Sequence, residues 1–218
     1  MKQLHFPEFH ALDFVARSQM SVTTTFFLYV LPMSLIPPLM LYYAGTAYRD
    51  TLLPALTLTS SQLQILSGVF FIAELASVFL MAGAIEFMAN TELKLIHTRQ
   101  KLLEFPAETP SLGITVDAPK VEYHDAFMLA AVAPTPLWLA PLFLFIPSFM
   151  INVTIGALAL LAATLILYYA TPVMLKLDEK GEGTLLRYIM IIGGMVAWAA
   201  MMYLTLITWS MVTSSTIF

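Results

Sequence analysis

The chain has 218 residues, of which 59% are hydrophobic and 11% charged, with a mean hydropathy of +0.82. A soluble domain carries about a quarter charged residues, so this chain cannot coat a water-exposed globule. The net charge of −4 is too small to indicate partners, no basic stripe of the kind a nucleic-acid binder needs is present, and the absence of cysteine excludes disulfides, thiolate metal sites and cysteine nucleophiles.

The hydrophobic residues fall in blocks of about 20, the length that crosses a ~30 Å hydrocarbon layer at 1.5 Å per residue. Residues 1–23 read as an amphipathic cytoplasmic N-terminus, in which Leu4, Phe6, Phe9, Leu12, Phe14 and Val15 interleave with His5, His10, Asp13 and Arg17. The first apolar block begins near Val22, spans without a small-residue cleavage site, and reads as a retained span rather than a signal peptide. That span, Thr24 to Gly45, contains Pro32, Pro37 and Pro38 and is expected to be kinked midway. The second, Leu63 to Met88, is free of proline and is expected to be straight. Residues 24–89 thus hold the first two spans.

Residues 90–123 form a polar cytoplasmic segment. Thr91 to Leu103 continues the second helix, and Pro106, Pro110, Gly113 and Pro119 make an irregular link. Residues 124–211 hold three more spans. The third, Ala126 to Ile146, carries Pro134, Pro136 and Pro141 and is expected to be a broken helix. The fourth, Ser148 to Met174, follows almost without a loop, which leaves a single re-entrant unit as the alternative to two spans. A polar turn, Lys176 to Gly183, precedes the fifth, Leu185 to Met211, and residues 212–218 are a short external tail.

The basic residues orient this all-α bundle of five transmembrane helices. With five spans, Lys2, Arg17, Lys94, Arg99, Lys101, Lys120, Lys176, Lys180 and Arg187 share one side and only Arg49 lies on the other. Because basic loops stay inside, the N-terminus is expected in the cytoplasm and the C-terminus outside, in the cell's inner (plasma) membrane. Tyr42, Tyr43 and Trp209 suit the outer interface, and Tyr168, Tyr169 and Tyr188 the inner one.

Two apolar motifs are distinctive. One is Ala133-Pro134-Thr135-Pro136-Leu137-Trp138-Leu139 followed by Phe145-Ile146-Pro147; the other is Leu167-Tyr168-Tyr169-Ala170-Thr171-Pro172 followed by the charged turn Lys176 to Glu182. They resemble the A-x-T-P-L span and the L-Y-L-G-x-P element of the Ypt-interacting-protein (YIP) family, in its bacterial inner-membrane branch. Leu31-Pro32-Met33-Ser34-Leu35-Ile36-Pro37 is similar more loosely. The resemblance covers residues 25–45 and 124–210, and departs from the family where Ala170-Thr171 replaces the usual glycine. It implies a five-helix membrane protein with a cytoplasmic N-terminus. Eukaryotic members are adaptors for Rab-type GTPases, whereas the bacterial branch implies no particular activity.

Glu74 is the most informative single residue. It lies eleven residues into the second span, roughly 16 Å deep, where an ionised carboxylate costs a few kcal/mol. It is expected to face protein or water, or to be protonated. Ser60, Ser67 and Glu74 recur every seven residues, with Ser77 on the same face, and this stripe is expected to line the bundle interior. The prolines Pro134 and Pro136 free carbonyls near Ala130 and Val132 at membrane depth, a device that builds substrate sites in transporters but also serves as a packing kink. Small residues such as Ala73, Gly83, Gly156, Ala163 and Gly194 permit close helix approach. His97 and His124 lack ligand spacing with Glu122 or Asp125, and no nucleophile or phosphate motif occurs, so neither metal nor cofactor nor enzymatic activity is expected.

The candidate functional or partner-binding residues are therefore Glu74, Ser67, Ser77, Pro134, Pro136 and Pro172. The first expectation is a non-catalytic membrane adaptor or accessory subunit, whose partners are other integral membrane proteins, lipids or a second copy of the chain. The alternative is a small transporter or lipid-handling protein with a cavity near Glu74 and the broken third helix. Topology is directly testable: reporters placed after Phe218 and between Glu104 and Pro119 should respond as if on opposite sides of the membrane. Matching responses would overturn the five-span count.

Overall fold

The computed structural model describes residues 20–48, 58–104, 120–177 and 182–214, apart from the side chains of 97, 99–104, 182 and 183. The amphipathic N-terminus, the Arg49 loop, the Pro106 to Pro119 link and residues 215–218 lie outside the described residues. Five helices long and apolar enough to cross a membrane are present, and no strand occurs among the described residues. We number them α1 (Val22–Ala47), α2 (Ser60–Glu104), α3 (Tyr123–Phe145), α4 (Phe149–Met174) and α5 (Glu182–Ser214). Spans three and four are separate helices, each long and apolar enough to cross by itself.

Successive helices run in opposite directions. Among the described residues, every acidic or basic residue except Glu74 lies in or next to one end of the bundle, here termed the basic end. There Asn90 of α2 grips the chain before α3, its Oδ1 accepting from Val121 N–H at 2.8 Å and its Nδ2 donating to Val121 C=O at 3.0 Å. Asp125 accepts from Lys176 Nζ at 2.8 Å, and His124 Nε2 meets the Met20 carbonyl at 2.7 Å. Asp125 also holds the Lys176 ammonium above the ordinary lysine range. Lys176 occupies the left-handed region (φ 55°) just past α4, and Leu177 N–H bonds back to Pro172 C=O at 2.9 Å. That is a Schellman closure with lysine where glycine is usual. It ends α4 at the proline-containing motif and aims Lys176 at α3.

At the opposite end α2 opens with a capping box. Gln62 N–H donates to Thr59 Oγ1 at 3.3 Å, and Thr59 N–H donates to Gln62 Oε1 at 2.7 Å. The same Gln62 amide donates to Val212 C=O of α5 at 2.9 Å, so one residue both starts α2 and docks the far end of α5. Leu58, Leu63, Leu66 and Val212 close around it.

α2 runs without interruption for 45 residues, about 67 Å and more than twice the hydrocarbon thickness. The proline helices behave differently. α1 passes through a π segment at Phe26–Val30 and a turn at Leu35 before resuming at Ile36. α3 is α-helical over Tyr123–Val132, turns at 133–134, resumes over Thr135–Leu139 and tightens to a 3-10 form over Ala140–Phe145. Pro136 cannot donate to Val132 C=O. Thr135 Oγ1 does so instead at 2.5 Å, and Tyr29 of α1 donates to that hydroxyl at 2.6 Å. The break in α3 is thus repaired by a side chain from its own turn and braced by α1. Replacing Thr135 with Val leaves the Val132 carbonyl and the Tyr29 hydroxyl unpaired, so Thr135→Val should destabilise the fold by about 1–2 kcal/mol. Unchanged thermal or steric-trap unfolding would contradict this repair.

Candidate functional site

α5 buries side chains near its two ends and packs more loosely between them. Leu186 and Met190 are fully buried at the basic end and Val212 is buried at the other, though less completely, while residues 191–202 contain no buried side chain. Against that middle stretch lies a cavity of about 400 Å³, walled by α2, α3, α4 and α5 with Pro37 of α1. Met195 and Met202 line it while remaining 41% exposed, so the cavity communicates with the bundle surface.

The lining is predominantly apolar, and most of its polar groups are already committed. Ser77 Oγ donates to the Glu74 carbonyl at 2.7 Å. Thr164 Oγ1 donates to Leu160 C=O at 2.8 Å, and Asn152 Nδ2 donates to Ile146 and Ser148 C=O, both at 2.9 Å. Glu74 is the exception. Its side chain is 8% exposed, the Trp138 indole N–H is the donor that faces its carboxyl, and Oε2 has no hydrogen-bond partner. An unpaired buried polar atom is costly in hydrocarbon, and Glu74 is the one acidic or basic residue among the described residues lining the cavity.

Of the residues singled out from sequence, Glu74, Ser77 and Pro134 meet on this cavity; Ser67, Pro136 and Pro172 do not line it. Ser67 is buried with its hydroxyl unpaired, one helical repeat from Glu74, as the interior stripe predicts. Ser60 breaks the stripe, because at the first turn of α2 it is exposed. Pro136 acts through the Thr135 repair, and Pro172 through the α4 terminus. Gly83 and Gly156 face open space and not a neighbouring helix, whereas a Cβ on Gly194 would lie 2.6 Å from Leu167 Cδ1, the close approach small residues allow. His97's side chain lies outside the described residues. Trp138 and Trp198 were not singled out from the sequence. Trp138 stands four residues from Pro134 in the motif already noted, and that spacing on a helix is the signal that places both on one wall.

The Yip1 domain, as a family model, matches residues 7–201. The chain belongs to the YIP family. The match continues through α2, so Glu74 lies inside the family region although the quoted motifs flank it. No curated protein and no solved structure matches the chain. YIP membership and the five helices make this a multi-pass membrane protein.

The Glu74–Trp138 pair makes a stability prediction. Glu74→Gln keeps size and an acceptor for the indole and should leave melting unchanged. Glu74→Leu strands the Trp138 N–H and should destabilise the bundle by about 1–3 kcal/mol. Equal stability of the two variants would show that the indole does not depend on residue 74.

Proposed function

We propose that this YIP-family protein takes a small apolar or amphiphilic molecule from the bilayer into the cavity beside Glu74, as a small transporter or lipid-handling protein. The observation that carries this reading is the coincidence of a ~400 Å³ intramembrane cavity with a buried, unpartnered carboxyl oxygen. Its size and apolar lining with few polar groups are those of a ligand pocket. The lining holds no nucleophile–base pair, so the site is assigned binding and not catalysis. The orientation is N-terminus in the cytoplasm and C-terminus outside, in the plasma (inner) membrane, on the strength of the basic end.

The adaptor or accessory-subunit reading is the second, and one observation favours it. α2 continues for eleven residues beyond Leu93, its last described buried side chain, with Leu95 largely exposed. Such an extension suits docking by another membrane protein or a second copy at the basic end.

The cavity reading is tested by photolabelling the protein in lipid nanodiscs with a diazirine-bearing alkyl alcohol and mapping the adducts. Gly156 faces open space and lines the cavity, so Gly156→Leu fills it at little cost to the fold. Labelling at Met81 and Trp138 should fall about fivefold or more in this variant, as expected when a pocket is occluded, while labelling of lipid-facing Leu206 holds. Parallel changes at all three positions would defeat the proposal.

A further inference from the structure

We propose that the cavity selects lipophilic organic cations, with the Glu74 carboxylate as countercharge and the flanking aromatic rings as the surrounding cage. The inference rests on the cavity reading above and names its ligand class.

The argument begins from charge. Among the residues lining the cavity, Glu74 is the only acid and no base is present. The groups facing it from each wall are accounted for. α1 contributes Pro37, and its Tyr29 stands beyond Trp138 with the hydroxyl committed to Thr135. α3, α4 and α5 contribute no acidic, basic or histidine side chain, and Glu86, the next acid along α2, is outside the lining. No described cation therefore reaches Glu74, because the bases cluster at the basic end. A carboxylate at this depth needs a countercharge, and the described residues provide none beside it.

The shape and chemistry of the remaining wall fit the same ligand. Phe70 of α2, Trp138 of α3 and Trp198 of α5 bring ring surface from three helices. Aromatic rings around a carboxylate are what stabilises a quaternary ammonium with its water removed. Met81, Met195 and Met202 supply polarisable, adaptable contacts that accept varied apolar bodies. A neutral alcohol would satisfy Glu74 Oε2 by one hydrogen bond but would draw nothing from the rings. An anion would meet a carboxyl and no donor except the indole already facing it. When the site is empty, a proton neutralises Glu74; when a cation binds, it replaces that proton, which leaves to solvent. Charge is conserved in the exchange. Binding should strengthen as pH rises and the carboxyl gives up its proton, and weaken as pH falls.

The test compares benzyltrimethylammonium with its neutral isostere neopentylbenzene by calorimetry on the full chain in nanodiscs of zwitterionic lipid. The cation should bind at least about tenfold more tightly at alkaline pH, with affinity falling by up to about tenfold per unit as pH is lowered. Repeating the titration at the low end of the pH range, where the empty carboxyl holds its proton, in buffers of different ionisation enthalpy should show a proton released for each cation bound. In Glu74→Gln the affinity ratio should collapse to near one, with a ligand-free melt confirming that the variant is folded; proton release by the native chain decides the matter if it is not. If neopentylbenzene binds and the cation does not, or if cation binding is independent of pH, the cation inference fails and the cavity reading stands. If neither compound binds, both fail.

Discussion

Hydrocarbon offers no partner to a backbone N–H or C=O, and the rest of the structure follows from how the chain meets that constraint. Where proline is absent, as in α2, the helix satisfies itself for 45 residues. Where proline is dense, in α1 and α3, the ladder opens and side chains must take over. Val132 C=O loses the donor that Pro136 cannot provide and gains Thr135 Oγ1, which Tyr29 then holds in place. The repair ties α1 to the broken segment of α3. It also fixes Pro134 and Trp138, which border the cavity.

The second constraint is that apolar surface carries little preference between protein and lipid. In water, a helix with no polar face is driven inward. In a bilayer, association rests on packing and on hydrogen bonds. α5 illustrates the result. It is secured by tight packing of Leu186 and Met190 at one end and by Gln62 reaching Val212 C=O at the other. Between those anchors Gly193 and Gly194 approach Met88 and Leu167, but no side chain of residues 191–202 is buried, and the cavity lies there.

That contrast explains what could be read from the sequence. Five spans follow from block length alone, and their alternation from the basic residues, because both depend on the energy of transfer into hydrocarbon. The seven-residue spacing of Ser67 and Glu74 disclosed a facing, since polar atoms do discriminate between lipid and protein. The prolines disclosed the break in α3. The loose packing of the middle of α5 was illegible, because Met195, Val196 and Met202 suit lipid and protein equally well. Trp138 was passed over for the same reason: an indole reads as apolar bulk until a carboxyl is found facing it. The threefold use of Gln62, as cap donor, cap acceptor and clamp on α5, depends on a contact 150 residues away that no local pattern announces.

Glu74 brings the two constraints together. As a structural group it need only offer one acceptor to the Trp138 indole, and an amide would do that without exposing the bundle to the few-kcal/mol penalty of an ionisable residue at mid-membrane. Its second oxygen makes no hydrogen bond: Oε2 is buried, has no partner, and belongs to a residue on the wall of the cavity. What a carboxyl has and an amide lacks is the ability to release a proton and carry charge. In a bundle whose other described charges gather at one end, the proposed cation binding gives that ability a use: it would act on a molecule that enters the cavity.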